Sequence, residues 1–178
     1  MRTLILLTVA LMLGCGSGTP YALKGDPKTV IGHVKWSITD GAGTPGYSGE
    51  RDILLGDVKQ SAVPDDRDIW KYEMPLGDDF YLGFGSSKQD DVGFGLFAGT
   101  TVEELFCWEW FNANGATATT LQESGGLGVA YQEGRVSRID FQTDVSLRLL
   151  PMSEAADPAN PKWRMQIAKG SYLSFPRG

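Results

Sequence analysis

One histidine and two cysteines are all that this chain of 178 residues has of the side chains most used in nucleophilic and metal chemistry. A lone histidine excludes multi-histidine zinc arrangements within one chain. His33 sits on the polar side of an alternating run, where it reads as an exposed residue rather than the base of a Ser-His-Asp or Cys-His pair. Basic residues are scarce as well, and the formal net charge is −6. A chain this acidic is repelled by phosphate backbones, and it lacks the basic stripe that anionic lipid headgroups attract, so no nucleic-acid partner is expected.

Other absences narrow the chemistry further. No Walker or dinucleotide-binding motif is present; the Gly-x-Gly pairs in "GFGSS" and "GFGLF" alternate with phenylalanine in strand-like runs instead of opening a helix. The acidic clusters Asp65-Asp66-Arg67-Asp68, Gly77-Asp78-Asp79 and Asp90-Asp91 lack the spaced Asp-x-Asp-x-Asp-Gly pattern of calcium loops. Adjacent aspartates at turns bond local backbone amides instead. No metal and no cofactor is expected. The segment "RIDFQTD" looks superficially like the Glu-x-Asp-x-x-Glu strand of concanavalin-like glucanases, but Arg138 and Thr143 stand where the two glutamates belong. Glu109, between Trp108 and Trp110, is an isolated candidate acid with no partner assignable from sequence. The chain therefore reads as non-enzymatic, with an envelope glycoside hydrolase as the third-ranked alternative.

Long hydrophobic runs are also missing. Leu4 to Leu13 is nearly all apolar and follows Met1-Arg2-Thr3. Ten residues are too short for a bilayer core, which needs about 20 in a helix, but they suit the apolar region of an export signal. Gly14 and Cys15 follow directly, ahead of "GSGTP". This segment, Met12 to Cys15 in particular, resembles the lipobox of bacterial lipoprotein signal peptides, with Met12 and Leu13 standing where that family has Leu and then Ala or Ser. The resemblance implies that Cys15 is acylated, as by palmitate, and becomes the mature N-terminus, anchoring the protein to a membrane. Gly16, in place of Asp, implies the outer membrane of the bacterial cell envelope. Two alternatives stay open: Cys15 lies within an ordinary export signal and is discarded, or it survives and pairs with Cys107. If Cys15 is acylated, Cys107 is left as a small buried hydrophobe.

The expected organisation is a signal peptide over 1–14, a lipidated N-terminus and flexible tether over 15–28, and one domain over 29–178. The tether, Gly16 to Lys28, is punctuated by Gly and Pro, and its thirteen residues reach about 40 Å when extended. Beyond it, apolar residues recur with period two: Val30, Val34, Trp36 and Ile38; Phe80, Leu82 and Phe84; Val92, Phe94 and Leu96; Leu127, Val129 and Tyr131; Ile139 and Phe141; Val145, Leu147 and Leu149; Trp163, Met165 and Ile167. With 23 glycines and 11% aromatic residues, this pattern predicts an all-β fold. We expect an antiparallel β-sandwich, jelly-roll-like, or a barrel, of about nine to eleven strands with at most one short helix. The stretch 102–112 admits either a helix, from the capping boxes Thr100/Glu103 or Thr101/Glu104, or a strand, from the alternation of Phe106, Trp108 and Trp110; the strand is favoured. Gly83, Gly85, Gly93 and Gly95 would share one bare hairpin face, open to an aromatic ring, a backbone or a ligand, with close packing the favoured use.

Five tryptophans raise a carbohydrate-platform hypothesis, although large aromatics on alternating strands mostly build cores. Trp70 with Tyr72, and Trp110, are the candidate exposed ligand-binding rings. The functional expectation is a lipid-anchored envelope protein with a binding or structural β-domain, its partner a glycan or an envelope protein.

Overall fold

The computed structural model describes residues 22–62, 69–77, 79–87, 94–100, 105–111, 126–133, 135–151 and 161–176, with the backbone alone at 62, 69, 86, 87, 94, 105–111 and 151. Twelve strands fill most of it: β1 Val30–Asp40, β2 Pro45–Leu54, β3 Lys59–Ala62, β4 Ile69–Pro75, β5 Phe80–Ser87, β6 Phe94–Thr100, β7 Leu105–Phe111, β8 Leu127–Gln132, β9 Arg135–Phe141, β10 Val145–Pro151, β11 Trp163–Ile167 and β12 Tyr172–Ser174. The helical content of the described residues is one 3₁₀ turn, Leu55–Asp57. The contested stretch is a strand over Leu105–Phe111. The strand count exceeds the expected nine to eleven because β3, β12 and the glycine-rich β2 carry no apolar alternation that marks them.

Two antiparallel sheets pack as a sandwich. One is the meander β3-β4-β5-β6-β7; the other holds β2, β1, β11 with β10, and β12 with β9 and β8. The last residues of β10 leave the second sheet for the first, where Leu150 and Pro151 pair with Phe106 and Leu105 of β7. One strand thus ties the two layers together.

The β9–β10 arm and the β11–β12 arm form one long bent hairpin. Leu149 lies opposite Trp163 on one side of the bend and Arg138 opposite Ser174 on the other, in the same register. Against β1 the register slips: between the pairs Trp36–Ile167 and His33–Tyr172 the chain advances three residues on β1 and five on the partner arm. The extra residues bulge out, as insertions in antiparallel pairs do. Lys35 O accepts from Ala168 N at 2.9 Å, and the buried Ser171 hydroxyl takes Lys35 N–H at 3.0 Å, so no backbone group of Lys35 is stranded. Gly170, at φ +88°, makes the reversal that an L side chain resists.

The core lies between the sheets. Val34, Ile38, Leu82, Phe84, Leu96, Ile139, Phe141, Val145, Leu147, Leu149, Met165 and Ile167 all point into it, as their alternation requires. Val30 is a correction: it is exposed and Ile31 takes its place inside, because a bulge between Val30 and Gly32 flips the faces. At one end of the sandwich Phe175 crosses from behind β12 and stacks on Phe84, with centroids 4.4 Å apart, while Tyr72 closes the group at 5.6 Å from Phe175.

That end also receives the N-terminal segment. Leu23 is buried, its N–H bonds Gln60 Oε1 at 2.9 Å, and Lys24 N–H bonds Pro176 O at 2.9 Å. Gly56 N–H bonds Pro27 O and Leu55 N–H bonds Thr29 O. The folded body therefore reaches back to Leu23, where the sequence suggested a free tether as far as Lys28.

Candidate functional site

Of the rings expected to form an aromatic platform, the structure describes the side chains of Trp70 and Tyr72. Tyr72 is wholly buried, stacked at 5.8 Å on Phe84, and offers no face to a ligand. The alternation of Trp70, Tyr72 and Met74 is a core face, and Trp70 is half-buried against the same core. Trp110 lies in β7 opposite Gly95, and its side chain, like those of Cys107 and Glu109, is outside the described residues. Cys15 and the acidic clusters at 65–68 and 90–91 are likewise outside them.

On the bare face of the β5–β6 hairpin aromatics fill two glycine positions, and Gly93 lies outside the described residues. Phe97 lies across Gly83, and Tyr81 lies across Gly99, each so close that a Cβ on the glycine would collide with the ring. Phe97 is fully buried there; Tyr81 meets it edge-on at 6.3 Å and the Lys71 ammonium stands 5.4 Å from its centroid. These glycines serve close packing. Burial raises the Tyr81 phenol pKa, with the neighbouring Glu73 charge adding to the effect.

The most exposed ring among the described residues, Tyr47, stands on β2. Residues directly opposite in an antiparallel pair share a face, so Tyr47, Gly49 and Arg51, opposite Ile38, Trp36 and Val34, all lie on the inward face of this outer strand. The strand overhangs the core, and Tyr47 is 55% exposed, the most of any large hydrophobic residue among those described. Its ring lies 5.5 Å from Phe80 of the opposing sheet and 6.4 Å from Trp163. Trp163 in turn approaches the backbone at Gly46, where a Cβ would stand 3.3 Å from its ring. Trp36 lies over Gly49 still more tightly, 2.8 Å from the position of a Cβ. Two half-buried indoles are thus let down onto β2 by two glycines, on either side of an exposed tyrosine. The result is a strip of Trp163, Tyr47 and Trp36, about 13 Å long at two strand repeats, with the Tyr47 and Trp163 planes inclined at 54°.

Polar groups bound the strip at both ends. Beyond Trp36, Arg51 Nη2 meets Asp57 Oδ2 at 2.7 Å. Beyond Tyr47, the β1–β2 turn is built on Asp40, whose Oδ1 takes the N–H groups of Thr44 at 2.7 Å and Ala42 at 3.0 Å. These bonds hold the Asp40 carboxyl below its ordinary pKa, Thr44 contributing most.

The outer face of the same sheet carries a polar row. Asp52, His33, Tyr172 and Asp140 lie directly opposite one another across β2, β1, β12 and β9. His33 Nδ1 is 2.8 Å from Asp52 Oδ1, and Arg138 grips Asp140 through Nε and Nη2 while its guanidinium stands 4.3 Å over the Tyr172 ring. The row is flat, open and shallow, and among the described residues no three His, Cys, Asp or Glu side chains gather as metal ligands.

The fold defines the chain as an antiparallel β-sandwich. Comparison with protein-family models, with curated proteins and with solved structures returns no match.

Proposed function

We propose that this chain is a lipid-anchored, non-enzymatic binding module of the bacterial cell envelope, held by acylated Cys15 and working through the surface of its β-sandwich. The observation that carries the reading is the sequence Gly14-Cys15 placed directly after a ten-residue apolar run. Docking of Leu23 supports it by giving the anchor a direction. Eight residues separate Cys15 from Leu23, a reach of at most roughly 28 Å. Tyr47 lies at the other end of β2, about eight residues or ~26 Å of strand from Leu55, where the N-terminal segment joins. Two or more acyl chains on one cysteine hold a protein firmly, since each buried CH₂ contributes about 0.8 kcal/mol and a single chain binds marginally. Binding is favoured over catalysis because the one histidine is engaged with Asp52 on an exposed sheet face, with no serine or cysteine hydrogen-bonded to it among the described residues.

Metabolic labelling with a fatty-acid analogue tests the anchor. The wild-type chain incorporates label and floats with outer-membrane vesicles, and Cys15→Ala does neither. Equal, background incorporation in both would refute the reading.

A further inference from the structure

We infer that the strip of Trp163, Tyr47 and Trp36 on β2 binds a segment of a neutral polysaccharide. The inference supplies a ligand class for the binding module proposed above. Sugar rings present patches of C–H groups that pack on aromatic faces, while their hydroxyls need donors and acceptors at the margins. The strip has both. Exposed Tyr47 and the uncovered parts of two half-buried indoles, seated close to glycines 46 and 49, provide the apolar surface. The Arg51–Asp57 pair at one end and the Asp40 turn at the other supply polar groups. Its length suits several linked rings better than one.

Two other occupants fit less well. The net charge of −6, with Asp40 ionised and Asp57 beside the strip, repels an acidic polymer. A second copy of the chain would need about 800 Å² from each partner for a stable interface, far more than three partly covered rings offer. The strip also sits at the end of β2 remote from Leu23.

The test is titration of the detergent-solubilised full chain with neutral oligosaccharides, glucans and N-acetylated amino-sugar oligomers, alongside acidic ones, followed by tryptophan fluorescence and calorimetry. A neutral oligosaccharide binds; Tyr47→Ala weakens it about tenfold or more, the scale of a central aromatic contact. Tyr47→Phe keeps the ring and the affinity, and Tyr131→Ala, an exposed tyrosine on β8, changes nothing. Gly49→Val lifts Trp36 from its seat and weakens binding while the thermal transition remains cooperative. Absence of neutral-sugar binding, equal affinity in Tyr47→Ala, preference for acidic sugars, or a dimer that Tyr47→Ala dissociates would each overturn the inference. Because the titration needs no membrane, a chain that binds sugar without incorporating fatty acid overturns the anchor alone. A labelled chain blind to sugar overturns the strip alone.

Discussion

Asp144 accepts the backbone N–H of Lys169 through Oδ1 at 2.8 Å, across the bend of the long hairpin. Its second oxygen takes Gln166 Nε2 at 2.9 Å. One carboxylate thus fastens the two arms where the ladder of backbone bonds is interrupted. Gly170 N–H to Phe141 O and Phe141 N–H to Ser171 O resume the ladder beside it.

Asp144→Ala leaves the Lys169 N–H to solvent and frees the bend. A single exposed hydrogen bond of this kind is worth about 1 kcal/mol. Urea denaturation should show the unfolding free energy lowered by that amount, through a lower midpoint at unchanged slope, since the exposed area on unfolding is the same. Asp144→Asn keeps one carbonyl oxygen for Lys169 and should recover most of the loss.

The contact of Phe97 with Gly83 yields a sharper contrast. Gly83→Ala drives a methyl group into the middle of a buried ring, and overpacking of this sort costs about 1–3 kcal/mol. Gly128→Ala meets only the amide end of Gln142, at 2.7 Å, on an exposed side chain that swings aside. It should cost less than about 0.5 kcal/mol, as surface substitutions do. Thermal melts of the two variants measured together decide the matter. In the Phe97→Ala background, Gly83→Ala should lose most of its penalty.

The same pair shows how far sequence reasoning reaches. Alternation of Phe80, Leu82 and Phe84 with glycine made the strand and its core face plain, and the bare opposite face signalled close packing. What alternation cannot tell is which ring fills a glycine hollow, because Phe97 reaches Gly83 only through pairing of β5 with β6. The aromatic strip was harder still. "PGYSGERDIL" has no apolar period, so neither β2 nor the exposure of Tyr47 was legible. Trp36 and Trp163 were read as core residues, which is half true, for they pack on the core with one side. Tyr72, expected beside Trp70 as an exposed ring, shares the period of Met74 and lies inside with it.

Asp40 makes the β1–β2 turn pH-dependent. Its carboxyl pKa is lowered in the folded chain from the ordinary 3.8, chiefly by the Thr44 N–H. The stabilisation is therefore full above the unfolded value and is lost as pH falls through the folded one. Amide resonances of Ala42 and Thr44 should move together in acid, with a midpoint below the ordinary 3.8. In Asp40→Asn the titration disappears, and the turn is looser than in the wild-type chain only at pH values where Asp40 carries its charge.

Leu23 distinguishes a docked segment from a free tether. If residues up to Lys28 were a loose leash, Leu23→Ala would be silent. With the side chain buried and its N–H on Gln60, truncation opens a cavity at the Phe175 end of the core, and a buried Leu→Ala change costs about 2–5 kcal/mol. The lower part of that range applies, because the site lies at the rim of the sandwich. Lys24→Ala, one residue on and exposed, keeps the backbone bond to Pro176 and should leave the midpoint unchanged. A difference of about 2 kcal/mol between these two neighbours in urea denaturation would establish the docking. Equal stabilities would return the segment to a tether and lengthen the reach from Cys15 accordingly.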